Sequence, residues 1–268
     1  MSRFTRSISG VAAGLAATLA VAFFAVPLAA LVVRAPWSSA GKIISEPSVR
    51  DALRLSLVCS LSATGVAIVF GTPLAWFLAR VSFPGRGLVR TLTTLSMVLP
   101  PVVSGVALLL AFGRRGLVGQ WLYDAFGIQL PFSTWGVIVA EAFVAMPFLV
   151  ITLEGAFRST DRRLEDAAFT LGATRWTTFR RITLPAVGPS LVAGAVLAWA
   201  RALGEFGATI TFAGNFPGTT QTMPLSVYLA LETNLDAAIL LSLVLVAVSF
   251  AILFGLRERW LGALGARS

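Results

Sequence analysis

Long uncharged runs of apolar residues, separated by short clusters of arginine, dominate this chain. Two apolar segments are interrupted or followed by a single acid, Glu141 in one and Glu205 in the other. An α-helix needs about 20 apolar residues to cross a bilayer, so each run is long enough to span one. The pattern predicts six transmembrane helices, at approximately 9–33, 55–79, 91–113, 135–153, 186–204 and 237–256.

The composition supports an all-α polytopic membrane protein. Hydrophobic residues make up 57% of the 268 residues and charged residues only 12%, about half the charged fraction of a soluble domain. The chain has no His and one Cys, Cys59, which excludes Ser-His-Asp and Cys-His sites, His-based zinc sites and an internal disulfide. We therefore predict no catalytic and no metal-binding residue, and a packing role for Cys59. Without a repeat or linker, residues 1–268 are predicted to form one transmembrane domain.

The distribution of Lys and Arg predicts the orientation. With the N-terminus in the cytoplasm, the cytoplasmic segments carry twice as many basic residues as the outer ones, as the positive-inside rule requires. The terminal basic residues that contribute are Arg3, Arg6, Arg257, Arg259 and Arg267. Both termini are therefore predicted to be cytoplasmic. The net charge of +9 follows from this topology and indicates no nucleic-acid partner. The first uncharged run, 7–33, is too long for a signal peptide and is predicted to be a retained helix.

The segment between the fourth and fifth spans differs from the rest of the chain. Ser159-Thr160-Asp161 is a helix-capping sequence, and Gly172 is expected to break the helix that follows. A second short helix is expected from Ala173, with Thr183-Leu184-Pro185 ending it. Such an elbow is suited to docking another protein, and a solvated connector is the alternative.

The spacing of this loop resembles the EAA loop of ABC importer permeases. The pattern is an acid followed by two alanines, then a glycine, an isoleucine and a Leu-Pro pair at fixed intervals, with Asp166 where the family usually has Glu. The resemblance implies a type I ABC importer permease fold with a cytoplasmic coupling loop at 155–185. The coupling residues that it implies are Glu165, Asp166, Ala167, Ala168, Gly172, Ala173, Ile182, Leu184 and Pro185.

A nucleotide-binding loop is missing from the sequence. The only Lys, Lys42, is preceded by Gly41 but lacks the upstream Gly and the following Ser or Thr of a P-loop. The chain is therefore predicted to be a transport subunit without a cofactor of its own, and ATP and Mg²⁺ are expected on a partner ATPase.

Two further segments are candidates for the translocation path or its gate. Pro100 and Pro101 should bend or break the third span, which either lines a cavity or is a plain kink. Arg201 and Glu205 share a helix face and can neutralise each other, although such a pair beside small residues also suits a lock between two helices. The candidates are Pro100, Pro101, Ser104, Arg201, Glu205, Gly207, Thr209 and Thr211.

The second of these segments resembles the sulfate/molybdate branch of the ABC permeases, most closely its molybdate members. Leu-Gly-Glu-Phe-Gly-Ala at 203–208 and Thr-Thr-Gln-Thr-Met-Pro-Leu at 219–225 carry the resemblance, with 99–107 and 112–116 upstream. It implies import of molybdate or tungstate in a bacterial or archaeal cytoplasmic membrane. The implied partners are membrane lipid, a second copy of the chain, two P-loop ATPase subunits and an extracytoplasmic oxyanion-binding protein. A sulfate/thiosulfate permease and, from another class, an ion-coupled secondary transporter are the alternatives.

Glu141 is the acid nearest the middle of a predicted span. Acids inside membranes are candidates for function, but a carboxylate on the path of an oxyanion would repel the cargo. We predict a structural role, with Glu141 paired, neutral or at the interface.

Overall fold

The structure, a computed structural model, describes the backbone of residues 2–265 and the side chains of residues 13–252 and 254. Within this part of the chain, every regular element is a helix. Two π-helical turns, Ala67–Gly71 and Phe179–Thr183, connect α3 to α4 and α10 to α11. The α-helices are α1 (Ser2–Arg34), α2 (Ala40–Ile44), α3 (Pro47–Val66), α4 (Thr72–Arg80), α5 (Arg86–Val98), α6 (Pro101–Phe112), α7 (Gly119–Phe126), α8 (Thr134–Ser159), α9 (Arg162–Thr170), α10 (Arg175–Thr178), α11 (Leu184–Leu203), α12 (Gly207–Phe212), α13 (Met223–Thr233) and α14 (Leu235–Gly265).

The membrane-spanning character of the chain is confirmed, with a different helix count. Five described helical stretches are long and apolar enough to cross a bilayer. They are Ala13–Arg34, Pro47–Arg80, Thr134–Ser159, Arg175–Leu203 and Leu235–Ile252. The third predicted span, 91–113, is divided at the predicted proline pair into α5 and the short apolar α6, so the count of six spanning helices is not confirmed.

The break between α5 and α6 lies at the predicted proline pair. Leu99 and Pro100 have extended backbones, with ψ of 135° at both residues. A proline excludes the residue before it from the helical region, so two prolines in succession force two extended residues. Pro101 then begins α6, where its missing N–H would have had no helical partner. The predicted bend is therefore a complete interruption.

The predicted stop at Thr183-Leu184-Pro185 is wrong. The chain remains helical from Arg175 to Leu203. The π-helical turn Phe179–Thr183 directly precedes the proline, and this wider turn gives the Pro185 ring space without ending the helix. The second short helix, α10, is therefore continuous with α11.

The core is formed around α8, which packs against α3, α4 and α11. Small residues line these contacts, which lets helix backbones approach closely as in other membrane proteins. Cys59 is fully buried among them, as its predicted packing role requires. Serine hydroxyls of α3 add hydrogen bonds to other helices. Ser60 accepts one from the indole of Trp199 at 2.8 Å, and Ser56 accepts one from the backbone N–H of Met223 at 2.7 Å.

Two predictions stay open at this level. The terminal arginines that support the cytoplasmic placement of both ends, Arg3, Arg6, Arg257, Arg259 and Arg267, lie outside the described side chains. The single permease domain over residues 1–268 also stays a prediction.

Candidate functional site

The elbow, which we define as residues 161–178, forms from local capping interactions. The Asp161 carboxylate accepts a hydrogen bond from the Arg163 backbone N–H at 2.9 Å and begins α9. Gly172 follows the helix with a φ of +83°, which favours glycine. The Thr174 hydroxyl then accepts the Thr177 N–H at 3.2 Å and begins α10. The predicted cap, break and second helix are thus all present.

Glu165 anchors the elbow to the membrane helices. Its Oε1 accepts hydrogen bonds from Arg80 Nη2 and from the Thr183 hydroxyl, each at 3.0 Å. The Arg80 side chain is only 7% exposed, so this ion pair is shielded from water and stronger than a surface pair. These contacts therefore tie α9 to the end of α4 and to the π-helical turn that precedes α11.

The two adjacent acids of the elbow differ in their surroundings. Asp166, which occupies the acid position of the EAA pattern, is exposed, whereas Glu165 makes the contacts to the membrane helices. Sequence reasoning missed Arg80 and Thr183. The signal for Arg80 was its position as the first charge after the second span, but nothing in the sequence paired it with Glu165.

The elbow presents apolar side chains to its surroundings despite its many charges. Leu171 is 88% exposed and Trp176 68% exposed. Beside them a groove of about 850 Å³ is lined by aromatic rings and by charged groups, including Trp76, Phe169 and Arg175. Exposed apolar groups with a polar rim mark protein interaction sites. Among the other predicted coupling residues, Ala168 is buried, Ala173, Ile182 and Leu184 are half-buried, and Ala167, Gly172 and Pro185 are exposed.

The two predicted path segments meet where α6 packs against α12. A Cβ at Gly207 would lie 2.6 Å from Pro101 Cβ, and a Cβ at Gly105 would lie 2.6 Å from Thr211 Cβ. Real Cβ atoms do not approach this closely, so both glycines are needed for the contact. The structure therefore brings together Pro101, Gly207 and Thr211, three of the candidates, across about a hundred residues of sequence.

Glu205 fixes the start of α12. Its Oε1 accepts the Ala208 N–H at 2.9 Å, and its carboxylate forms an ion pair with Arg201. The predicted pairing is confirmed, although Glu205 lies beyond the end of α11. Of the remaining candidates, Ser104 and Thr209 are buried, whereas Pro100 is exposed.

Glu141 departs from one of the three arrangements predicted for it. It is 1% exposed within α8. Within the described part of the chain, no cation forms an ion pair with it, so the paired arrangement is not observed. Because a buried charge without a partner is costly, this burial favours the neutral arrangement, and the placement at the membrane interface stays a prediction.

A charged cluster at the elbow end of α8 was not anticipated. Glu154 accepts hydrogen bonds from Arg90 Nε, at 3.1 Å, and from Arg158 Nη2, at 2.7 Å. The hydrogen bond that Arg90 donates to Glu154 raises the pKa of the Arg90 guanidinium. The pair ties α5, the helix before the proline break, to α8, which leads into the elbow.

Comparison with known proteins identifies relatives over most of the chain. Residues 71–263 match the family described as "Binding-protein-dependent transport system inner membrane component". The "Molybdenum transport system permease protein ModB" of Mycobacterium bovis is 46% identical over 245 residues, which cover 91% of this chain and 92% of that protein. The "Sulfate transport system permease protein CysT" of Escherichia coli is 38% identical over 234 residues, covering 86% and 84%.

The fold has a counterpart among solved structures. A chain from the "Crystal structure of bacterial alginate ABC transporter in complex with alginate pentasaccharide-bound periplasmic protein" superposes with a TM-score of 0.70. The match covers 95% of this chain and 96% of that chain at 19% sequence identity. The two chains therefore share a fold over nearly their whole length.

Proposed function

This chain belongs to the family of binding-protein-dependent transport system inner membrane components, and on that premise we propose that it is the membrane subunit of an ATP-driven importer of molybdate. The identity of 46% to a molybdenum permease, against 38% to a sulfate permease, supports molybdate as the cargo. Molybdate and sulfate are both tetrahedral dianions, so a sulfate permease is the second candidate.

The elbow is the observation that carries the proposal. It combines exposed apolar residues, Leu171 and Trp176, with a buried ion pair to α4. A surface of this kind suits a partner that both binds the elbow and moves it. We assign it to a cytoplasmic P-loop ATPase subunit, which would hold ATP and Mg²⁺, because this sequence has no P-loop.

The proposed cycle is alternating access in a homodimer with two ATPase subunits. Closure of the ATPases on ATP would move the two elbows together, and Glu165 would transmit this motion to α4 through Arg80. The α11 helix would move with the elbow because the chain is helical without a break from α10 through α11. The Arg90–Glu154 pair would carry the motion of α8 to α5. Opening after hydrolysis would return the path to the cytoplasm.

The exposed apolar face beside the proline break supports the dimer. Val98 is 81% exposed and Leu110 67% exposed, with Val102 at 54% between them. The path would then run between two copies of this face and the α6–α12 contact. An extracytoplasmic binding protein would select the anion and deliver it to the opposite side from the elbow.

Uptake of labelled molybdate and labelled sulfate at limiting concentration, in cells with and without the gene, tests the cargo. Loss of molybdate uptake with intact sulfate uptake is the expected result. Loss of sulfate uptake instead would replace the first candidate by the second, and loss of neither would overturn both.

Co-purification with a P-loop ATPase tests the role of the elbow. Leu171→Asp should abolish co-purification, because it replaces an exposed apolar side chain of the elbow, 88% exposed, by a charge. Leu235→Asp is the matched control, since Leu235 is also exposed, at 61%, but lies outside the elbow. Equal retention of the ATPase by both variants would contradict the assignment.

A further inference from the structure

The groove beside the elbow extends along the end of α4 into a membrane span. Its volume of about 850 Å³ is that of a ligand-binding cleft. On one side it is lined by Pro73, Trp76 and Arg80, which share a face of α4. Pro73 and Trp76 belong to the uncharged run 55–79, the second predicted span, and Arg80 is the first charge after it. The elbow lines the other side, so the groove joins an apolar span to a charged segment.

Aromatic rings form the apolar wall of this groove. The rings of Trp76 and Phe179 lie edge to face with their centres 6.4 Å apart, and Trp176 stacks on Phe179 with the ring centres 5.9 Å apart. Phe169 adds a fourth ring from α9. Tryptophan is enriched where membrane proteins pass from hydrocarbon to headgroups, because its ring is apolar and its N–H is polar. The wall therefore suits the part of an acyl chain next to its headgroup.

Two buried donors in the lining have no partner in the described protein. Thr178 is 3% exposed and the Arg80 side chain 7% exposed. Arg80 binds Glu165 through Nη2, but neither Arg80 Nε nor the Thr178 hydroxyl has a hydrogen-bond partner among the described residues. Buried polar groups are nearly always hydrogen-bonded. A ligand that brings oxygen acceptors into the groove would satisfy both donors.

The charges in the lining favour an anion. Three arginines line the groove together with two acids: Arg80, Arg162, Arg175, Glu165 and Asp166. Glu165 is paired with Arg80. Arg162 and Arg175 are exposed and form no ion pair with any side chain that the structure describes. The lining therefore holds two unpaired guanidinium groups against one unpaired carboxylate, Asp166.

We infer that this groove binds an anionic phospholipid of the cytoplasmic leaflet, with the phosphate at Arg162 and Arg175 and an acyl chain along Trp76. The leaflet rests on the proposed function, which places the elbow in the cytoplasm. That leaflet has a negative surface potential from its anionic lipids, and basic pockets beside membrane helices bind their headgroups. Ester oxygens of the lipid would accept hydrogen bonds from Arg80 Nε and the Thr178 hydroxyl. Because it contacts both α4 and the elbow, the lipid would stabilise the junction between them.

The ATPase subunit fits this groove less well than a lipid does. It can reach Leu171, which is 88% exposed on the elbow and is not part of the groove lining. Pro73 and Trp76, by contrast, lie in the second predicted span, where a protein in water does not reach and an acyl chain is in its own environment. The ATPase and the lipid therefore use neighbouring surfaces of the elbow.

The experiment measures the phospholipid that the complex of this chain with its ATPase subunits retains. The complex is reconstituted into vesicles of equal parts phosphatidylglycerol and phosphatidylcholine and extracted again in detergent, and the bound lipids are quantified by mass spectrometry. The double substitution R162Q/R175Q should lower the ratio of retained phosphatidylglycerol to phosphatidylcholine about tenfold. R180Q/R181Q is the matched control, since it removes the same charge from exposed positions outside the groove lining. It should change the ratio less than about twofold.

Trp76→Ala tests the apolar wall without changing the charge. It should lower the amount of retained phosphatidylglycerol, and Trp76→Phe should restore it. An unchanged unfolding temperature in detergent without added lipid would show that the loss does not come from unfolding. Equal retention by the Trp76→Ala variant and the unsubstituted chain would overturn the place of the acyl chain.

The other outcomes separate this inference from its rivals and from the proposed function. Equal losses in R162Q/R175Q and R180Q/R181Q would reduce the effect to general surface charge and overturn the site. Displacement of the lipid by soluble glycerol phosphate would overturn it in favour of a free phosphate. Retention by the chain alone, but not by the complex, would assign the groove to the ATPase. A complex that imports molybdate without preferring phosphatidylglycerol would contradict this inference alone, whereas lipid retention by a complex that imports no molybdate would contradict the proposed function alone.

Discussion

The elbow and the α6–α12 contact are held together in opposite ways. In the elbow, charged and hydroxyl side chains reach out to fixed partners, as Glu165 does to Arg80 and Thr183. In the α6–α12 contact, Gly105 and Gly207 have no side chains, and the two helices lie so close together that a Cβ at either position would clash. A polar anchor tolerates small movements, whereas a contact without free volume does not. We therefore expect the elbow to be tunable by substitution and the α6–α12 contact to fail abruptly.

The largest effect is expected at Gly105. Gly105→Ala places a Cβ 2.6 Å from Thr211 Cβ and 2.9 Å from Ala208 O, which overpacks the contact by about 1–3 kcal/mol. Labelled molybdate uptake should be lost, and the unfolding temperature in detergent should fall. Gly155→Ala is the matched control, since a Cβ there meets nothing within 4 Å. Normal uptake by the Gly105→Ala variant would contradict the expectation that the α6–α12 contact is less tolerant of substitution than the elbow.

An intermediate effect is expected at Glu165. Glu165→Gln removes the charge that pairs with buried Arg80, and a charge-assisted hydrogen bond contributes about 1.5–3 kcal/mol. Uptake should fall about tenfold relative to ATP hydrolysis. The ATPase would still bind the elbow, but the contact between the elbow and α4 would be weaker. Asp166→Asn, at the exposed neighbour, should have a smaller effect. The reverse order of effects would show that Asp166 is the coupling acid.

A smaller effect separates the two arginines around Glu154. Arg90→Gln should reduce uptake, because it disconnects α5 from α8. Arg158→Gln removes a pair within α8 in which the Arg158 side chain is 46% exposed, and such pairs contribute only about 0.3–0.5 kcal/mol. A double-mutant cycle with Glu154→Gln measures each coupling energy. Equal coupling energies would contradict a special role for Arg90.

The smallest effect is expected at Glu141. Glu141→Gln keeps the volume of the side chain and a neutral polar head in its buried position in α8. If Glu141 acts only in packing, uptake and protein level should both stay near those of the unsubstituted chain. Abolished uptake at a normal protein level would assign Glu141 a role in transport and would extend the functional region into the core.

Local features of the molecule were accessible from the sequence. The apolar runs predicted the long helices, because bilayer thickness sets their length. The Asp161 cap and the break at Gly172 were also predictable, since each depends on residues within a few positions of one another. The proline pair predicted a bend or a break in the third span. Only the structure showed that the helix is fully interrupted there by two extended residues.

Contacts between distant segments were decided by the tertiary structure. Arg80 and Glu165 are separated by 85 positions, and many other arginines could have paired with that acid. The contact of Gly105 with Thr211 depends on the way α5 and α6 separate at the prolines. The hydrophobic pattern and the capping residues act within single helices and therefore determine where each helix begins and ends. Contacts between helices depend on packing that no local pattern encodes. The same packing decides that Glu165, and not its neighbour Asp166, binds Arg80.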